Sequence, residues 1–308
     1  MENQGFRTGS KQDLGMLWAY CQTDVFRADL RKLNPKLSVD NGYVGKLSFS
    51  PDFWRAQAEK AGALPEPCSN DATQWLFKGN PVSAAAPHNL QVAVARLLGY
   101  RWPDQPPDAL DARAVSDGIV CLPPIGDEPA AADRLRDLLA TAYGRHWSDA
   151  QSSALQAGVG YDGASLAEWL RDGCFEQHCS LFHDRPFLWH IWDGKKDGFA
   201  AIVNYHKFNH LRLETLIHHY LGAWIKRQKD SVDKREGAAE GRLAAAEALR
   251  EKLLAILKGE NPFDIFVRWK PLEKQSIGWE PEFNDGVRLN IRPFVTAAVL
   301  RTAISTLS

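Results

Sequence analysis

Hydrophobic residues recur along most of this chain at the three- and four-residue spacing of amphipathic helices. This spacing predicts an opening helix over 14–30, a short helix after Asp52, and a helix over 90–98 that ends at Gly99. The same spacing predicts further helices over 129–143, 148–157, 165–181, 208–228, 231–258 and 293–307. The chain is therefore expected to be mainly helical.

Two neighbouring segments follow the pattern of β-strands instead. Residues 187–192 (FLWHIW) and 199–205 (FAAIVNY) are apolar runs rich in aromatic and β-branched side chains, and 193–198 (DGKKDG) is typical of a hairpin turn. Residues 118–125 predict a short buried strand, and 280–292 a turn and a short strand. The expected fold class is α+β, mainly helical, with small antiparallel sheets or hairpins and a protruding long helical hairpin.

A stretch rich in proline and aspartate at 102–112 is typical of a linker or a long surface loop. It predicts two domains. The N-terminal α+β part spans 1–115, and the C-terminal part spans 116–308 with the hairpin at 187–205 and the helical pair at 208–258.

Composition narrows the class of protein. The 308 residues carry a net charge of −1, so contacts with a polyanion require a local patch rather than a basic chain. Five cysteines at irregular spacing argue against a disulfide framework, and no apolar run approaches the roughly 18 residues of a membrane span. The first ten residues are polar and unlike a signal peptide, so a cytoplasmic location is expected.

One cluster of soft ligands raises the question of a metal. Cys174, His178, Cys179 and His183 lie within ten residues. On one helix the pairs 174/178 and 179/183 point about 100–140° apart, so a single zinc ion cannot easily use both. We expect packed helix residues, with zinc as the alternative, and predict no metal site.

The clearest candidate surface is cationic. Residues 195–235 hold nine lysines or arginines and four acidic residues in an otherwise slightly negative chain. Lysines near a turn and a helix start can meet phosphates, and asparagine and arginine can address base edges. The predicted DNA contacts in this region are Lys195, Lys196, Asn204, His206, Lys207, Asn209 and Arg212. The alternative is an amphipathic helix with ordinary solvated lysines.

A second cluster lies near the C-terminus. Arg288, Asn290 and Arg292 alternate with three apolar residues, so a strand there would have one buried face and one cationic face. We expect that face to bind DNA phosphate or an acidic neighbouring domain. The alternative is an edge strand whose arginines form weak surface pairs.

Several stretches resemble the C-terminal regions of large adenine-specific DNA methyltransferases of phage-defence and restriction–modification systems, of the BREX, DISARM and fused restriction–modification types. They are 185–205 (RPFLWHIWDGKKDGFAAIVNY), 280–294 (EPEFNDGVRLNIRPF), 64–77 (LPEPCSNDATQWLF), 91–103 (QVAVARLLGYRWP) and 5–9 (GFRTG). The resemblance implies a target-recognition region that follows a catalytic domain and closes over DNA. It also implies that the natural enzyme begins before Met1.

The same resemblance implies a catalytic motif that this sequence lacks. The family grips its target adenine with an Asn/Asp-Pro-Pro-aromatic loop. Asn34-Pro35, Asn80-Pro81 and Asn261-Pro262 each lack the second proline, so no catalytic residue is predicted in this chain. The implied cofactor, S-adenosylmethionine, belongs to the catalytic domain. The implied partners are double-stranded DNA, that catalytic domain or subunit, and other defence subunits, with no membrane.

Two other functions remain open from the sequence. The helical pair 208–258 is compatible with an interaction scaffold that docks another defence subunit. A stand-alone nuclease would need clustered carboxylates near a lysine, and the available residues are Asp184, Asp193, Glu214, Lys195 and Lys196, at an undistinctive spacing.

Overall fold

The computed structural model describes residues 11–34, 43, 46–64, 79–84, 87–101, 105–266, 278–282 and 285–302. The chain forms two compact units, residues 1–69 and 70–308. The boundary therefore lies earlier than the one expected at 115, because the helix at 89–97 belongs to the core of the second unit. The prolines and aspartates near 102–112 belong to that unit as well. Arg96 there is buried and binds Asp108 through two hydrogen bonds and Asp111 through a third.

Three helices form the described part of the first unit: α1 (Lys11–Cys21), α2 (Asp24–Leu33) and α3 (Pro51–Ala61). The single opening helix expected from the spacing is divided, because the Thr23 hydroxyl accepts the Phe26 N–H and starts α2 as a new helix. Tyr20 and Trp54 are at the centre of a small aromatic core, with ring centroids 4.9 Å apart.

The second unit contains most of the helices. Before the hairpin they are α4 (Asn89–Leu97), α5 (Ala131–Tyr143), α6 (Asp149–Gly158), α7 (Leu166–Asp172) and α8 (Cys174–Leu181). After the hairpin they are α9 (His210–Thr215), a π-helical segment (Leu216–Leu221), α10 (Gly222–Asp233), α11 (Ala239–Lys258), α12 (Val287–Asn290) and α13 (Arg292–Thr296). Short 3-10 helices occur at Ala109–Arg113, Gly144–His146, Tyr205–Lys207 and Phe263–Phe266.

A three-stranded antiparallel sheet lies within these helices. Its strands are β1 (Ile119–Cys121), β2 (Leu188–Trp192) and β3 (Ala200–Asn204), with β3 in the centre. His190 on β2 lies opposite Ile202 on β3. The predicted hairpin at 187–205 is confirmed, and the α+β class with a mainly helical chain is confirmed with it.

One face of β2 packs into an aromatic core. Trp189 is fully buried, and its ring contacts those of Tyr205, Phe208, Trp279 and Phe294 at centroid distances of 5.2–6.3 Å. Because side chains alternate along a strand, His190 and Trp192 lie on the opposite face from Trp189. The two faces of β2 therefore have different neighbours.

The helical pair is more deeply packed than the protruding hairpin that the sequence predicts. Helix α9, the π-helical segment and α10 run continuously from His210 to Asp233, and α11 returns beside α10. Both helices contribute to the main core, through Ile217 and Trp224 on the first and Leu249 and Leu253 on the second. The pair is therefore a core element, and its connecting turn at 234–238 is exposed.

The strand predicted within 280–292 is wrong for the described residues. Residues 287–290 and 292–296 are helical instead. Beyond them, Val299 and Arg301 exchange backbone hydrogen bonds with Trp192 and His190, so this segment covers the outer edge of β2. Among the described residues, no helix is both long enough and apolar enough to cross a lipid bilayer.

Candidate functional site

The turn between β2 and β3, residues 193–198, is held by one carboxylate. Asp193 accepts the N–H of Lys195 at 2.9 Å and the N–H of Phe199 at 2.7 Å. Burial raises the pKa of Asp193, and these two backbone N–H groups oppose that shift. A Cβ at Gly198 would overlap the Asp193 carboxylate, so the turn requires glycine there. The local sequence thus fixes the backbone on which Lys195 and Lys196 stand.

The turn is also tied to the helical pair. Arg242 of α11 forms an ion pair with Asp197 at 3.2 Å and donates a hydrogen bond to Gln228 of α10 at 2.8 Å. Lys195 and Lys196 are exposed, and neither forms an ion pair with any residue that the structure describes. The turn therefore presents two lysine side chains from a backbone that is fixed at both ends.

A cavity of about 200 Å³ lies beside this turn, on the face of β2 opposite the aromatic core. It is bounded by apolar residues of several elements, such as Leu122 after β1 and Leu170 on α7. The other lining residues that matter chemically are Arg171, His190, Trp192, Lys195, Lys196 and Trp224. Apolar and aromatic walls with a few polar groups are typical of small-molecule sites.

Two arginines share one carboxylate at the edge of this cavity. Arg171 and Arg301 both donate hydrogen bonds to Asp172, and the Arg301 guanidinium lies 4.3 Å from the centre of the Trp192 ring. The hydrogen bonds from Arg171, followed by that from Arg301, lower the pKa of Asp172 to about 2. Two positive charges and one negative charge leave a local excess of one positive charge beside Trp192.

His190 is buried between the sheet and α8. Its side chain is 1% exposed, and its ring lies 6.3 Å from that of Phe175. Burial lowers the pKa of His190 to about 3, and the nearby Arg301 adds to the shift. The imidazole is therefore neutral at physiological pH, with one N–H donor and one acceptor nitrogen.

The predicted cationic patch is divided between the two ends of β3. Lys195 and Lys196 precede the strand, whereas His206, Lys207 and the residues after them follow it. A five-residue strand extends roughly 16 Å, so the two groups do not form one continuous patch. The prediction of a single cluster is corrected accordingly.

Most members of the group beyond β3 support the fold. The Lys207 ammonium lies 3.4 Å from the carbonyl oxygens of Val115 and Ser116, and burial lowers the pKa of Lys207. Asn209 is the N-cap of α9 and accepts the Arg212 N–H at 3.0 Å. The Arg212 side chain is half-buried.

His206 packs against aromatic rings. Its centroid lies 5.3 Å from that of Tyr100 and 5.7 Å from that of Phe187. Its backbone N–H donates to the Asn204 side chain, so the residue is also part of the turn that follows β3.

Two predicted contacts are wrong because their amides lie in the interior. Asn204 is 1% exposed, donates to the Leu98 carbonyl at 3.1 Å and accepts the His206 N–H at 3.0 Å. Asn290 is fully buried and donates to the Tyr205 hydroxyl at 2.7 Å and to the Glu282 carbonyl at 2.8 Å. Neither side chain reaches the surface, so neither can read DNA from this position.

The three-residue cationic face expected near the C-terminus does not form. Helical residues two apart point roughly 200° apart, so Asn290 does not share a face with Arg288 or Arg292 as it would on a strand. Arg288 is exposed, Arg292 is half-buried and Asn290 is in the core. That part of the prediction is corrected.

The candidate metal ligands Cys174, His178, Cys179 and His183 include one histidine, His178, whose hydrogen bonds have a structural role. His178 bonds Gln91 through Nδ1 at 3.1 Å, and its Nε2 accepts the Leu188 N–H at 3.2 Å. Gln91 in turn donates to the Cys174 carbonyl. Both nitrogens of His178 are therefore occupied within the protein. In the described part of the chain, no group of three or more His, Cys, Asp or Glu side chains is arranged to hold a metal ion.

The residues considered for a nuclease lie apart from one another. The helical pair considered as an interaction scaffold packs into the core. Of the nuclease residues, Asp193 uses both carboxylate oxygens in the turn, while Glu214 lies beyond the far end of β3 and pairs with His210 at 4.0 Å. Of the described large hydrophobic residues on the helical pair, Leu211 alone is exposed. The pair therefore shows no continuous apolar stripe over its described residues.

Sequence patterns do not predict His190, Trp192, Trp224 or Arg171 as site residues. One signal was present: the alternation in residues 187–192 places His190 and Trp192 on one face of the strand, and a histidine within an apolar strand is unusual. Trp224 and Arg171 come from distant helices, and no local pattern links them to β2. The chain matches no known family model and has no significant match among curated proteins.

Proposed function

We propose that this chain binds double-stranded DNA as the target-recognition region of an adenine-specific DNA methyltransferase in a cytoplasmic phage-defence or restriction–modification system. Methyl transfer from S-adenosylmethionine belongs to a catalytic domain or subunit outside this sequence. The observation that carries DNA binding is the pair Lys195 and Lys196, which stand exposed on a fixed turn without an ion-pair partner among the described residues.

Lysines without an ion-pair partner are the most readily available to bind phosphate. A lysine paired with a carboxylate must break that pair to bind phosphate, whereas an unpaired lysine replaces counterions directly. Asp193 and Arg242 fix the backbone that carries the two lysines, so less conformational freedom is lost on binding. A second pair of lysines illustrates the difference, because Lys229 and Lys258 each lie beside a glutamate, at 3.3 and 3.6 Å.

The methyltransferase part of the proposal is supported by the resemblance of residues 185–205 to that family. This stretch forms β2, the turn and β3, and it therefore includes the two lysines, the histidine of the cavity and the central strand. The resemblance therefore lies in the same element that carries the proposed DNA contact.

Fluorescence anisotropy with a labelled duplex, measured from low to physiological salt, tests the proposal. We expect Lys195→Ser/Lys196→Ser to weaken binding and to reduce the slope of log affinity against log salt by about one unit for each lysine. The control Lys229→Ser/Lys258→Ser removes the same charge from sites already paired with glutamate, and we expect a smaller loss.

Equal effects of the two double variants would show that only net charge matters and would refute the assignment to this turn. Salt-independent binding, or no binding of the unmodified chain, would refute the DNA-binding function itself.

A further inference from the structure

Three buried polar atoms beside the cavity have no hydrogen-bond partner in the part of the chain that the structure describes. They are Nδ1 and Nε2 of His190 and the indole Nε1 of Trp224. The two side chains are 1% and 4% exposed, and both line the same cavity. An unsatisfied buried polar group costs about 1–3 kcal/mol, and native proteins contain few of them. Three at one cavity indicate a site that a ligand completes.

The donors and acceptors of these atoms restrict the ligand. Neutral His190 offers one N–H and one acceptor nitrogen, and the indole of Trp224 offers one N–H. The two nitrogens of one imidazole point away from each other, so a single group between the apolar walls can bond one of them together with the Trp224 N–H. Such a ligand needs an acceptor for Trp224 beside a donor or an acceptor for His190. The edge of a nucleobase carries donors and acceptors side by side on a planar ring.

The charge of the cavity points to the rest of the ligand. Lys195 and Lys196 line it beside Asp197, whose carboxylate is paired with Arg242. Arg171, which shares Asp172 with Arg301, lines it as well, so the lining carries a net positive charge. A phosphate attached to the planar group would meet this charge. A ligand that consists only of a neutral ring would offer no anionic group to Lys195 and Lys196.

The size of the cavity limits the ligand to one that inserts a single ring system. About 200 Å³ is below the roughly 300–1,000 Å³ of sites for drug-sized molecules. One ring system fits this volume when the groups attached to it, such as a sugar and a phosphate, extend into the open mouth, and a large two-part cofactor does not fit.

We propose that this cavity binds a single nucleotide, with the base at His190 and Trp224 and the phosphate at Lys195 and Lys196. The nucleotide is either a free mononucleotide or one unstacked from a DNA strand. The second source rests on the proposed DNA-binding function, and the first does not.

The test uses substitutions that remove the unpartnered atoms and keep a ring. We expect His190→Phe and Trp224→Phe to fold and His190→Phe to be at least as stable as the unmodified protein, because a buried polar group without a partner is replaced by an apolar one. Trp279→Phe is the matched control, since the Trp279 indole already donates to the Asn290 carbonyl at 3.0 Å. We expect it to lower stability and leave nucleotide binding unchanged.

Isothermal titration calorimetry of the full chain with the four deoxynucleoside 5′-monophosphates, and with orthophosphate as the reference, gives the first readout. We expect at least one mononucleotide to bind more tightly than orthophosphate and to lose about tenfold in affinity in His190→Phe and in Trp224→Phe. The second readout compares a duplex that carries one unpaired nucleotide with the same duplex fully paired. If the source is DNA, the unpaired nucleotide increases affinity about tenfold, and His190→Phe removes that increase.

The proposal is overturned if every mononucleotide binds no better than orthophosphate and the unpaired nucleotide gives no increase. It is equally overturned if His190→Phe leaves nucleotide binding unchanged. In the first case, retained salt-dependent binding of the paired duplex leaves the proposed function intact. Conversely, mononucleotide binding without any duplex binding supports the cavity assignment and refutes the DNA-binding function.

Discussion

The Arg242 guanidinium on α11 lies 3.2 Å from the Asp197 carboxylate in the turn between β2 and β3. This ion pair connects the element that carries Lys195 and Lys196 to α11, a helix of 20 residues. Arg242 is mostly buried and also donates to Gln228, so its position is set by the packing of the helical pair. The helical pair thus acts as a support for the cationic turn.

Replacing this arginine tests the support. We expect Arg242→Met to weaken duplex binding by two- to fivefold and to increase hydrogen exchange of the amides at 193–199, since the turn loses its tether while both lysines remain. Anisotropy titration and exchange mass spectrometry measure the two effects. Lys229→Met breaks an exposed pair on the same helices and is expected to change neither, because such pairs contribute about 0–1 kcal/mol. Unchanged exchange in Arg242→Met would mean that the turn holds itself without the helix.

Two asparagines that the sequence offers as equivalent DNA contacts should differ in stability. We expect Asn204→Ala to lower the free energy of unfolding by about 2–4 kcal/mol, because it leaves the Leu98 carbonyl and the His206 N–H without a partner. Asn209→Ala removes a helix cap and is expected to cost about 1 kcal/mol. Urea denaturation gives both values. A stable Asn204→Ala protein that binds DNA poorly would restore Asn204 as a contact residue.

Stability should fall as the pH decreases below neutral. Burial lowers the pKa values of His178 and His190 to about 3, below the value of about 6.5 in an unfolded chain. Between these values the unfolded state binds more protons, so acid favours unfolding by up to about 1.4 kcal/mol per pH unit for each histidine.

Urea denaturation between pH 6.5 and 5.0 measures this slope, and we expect His190→Phe to remove the share of one histidine. His183 is exposed, and His183→Gln serves as the control with the slope of the unmodified protein. A slope that His190→Phe leaves unchanged would show that the ring is already protonated or accessible to water in the folded state.

Two glycines with the same backbone angle provide a test of close packing. Gly278 and Gly286 both have φ of +81°, but a Cβ at Gly278 would overlap the Leu257 carbonyl, whereas a Cβ at Gly286 meets nothing. Alanine at either position carries the strain of the left-handed backbone, about 1 kcal/mol. We expect Gly278→Ala to lose about 2 kcal/mol more than Gly286→Ala in thermal or urea unfolding. Equal losses would mean that residues 278–279 can move away from α11.

Local patterns were sufficient for much of the fold. Helices α4, α5 and α11 and the strands β2 and β3 follow from apolar spacing and from the flanking glycines, because each signal lies within one element. The expected strand near 287–292 is wrong because Val287, Ile291 and Phe294 also follow the i, i+4, i+7 spacing of a helix. The contacts of Asn290 with Tyr205 and Glu282 favour the helical form.

Local sequence patterns predict only part of the candidate site. The turn with Lys195 and Lys196 is encoded locally, since Asp193 binds backbone groups two and six residues ahead. The burial of Asn204 depends on a carbonyl 106 residues earlier in the chain, and no local pattern signals it.

By itself, the sequence determined the periodicity of the helices, the hairpin and the two lysines on its turn, because these depend on residues a few positions apart. Only the tertiary structure decided which cations stay exposed and which polar atoms are buried without partners. The cavity joins Arg171, His190 and Trp224 from three separate elements, and Arg301 reaches its edge by pairing with β2. Such a site is created by the packing of distant segments, and the core that brings those segments together includes Trp224 of the site itself.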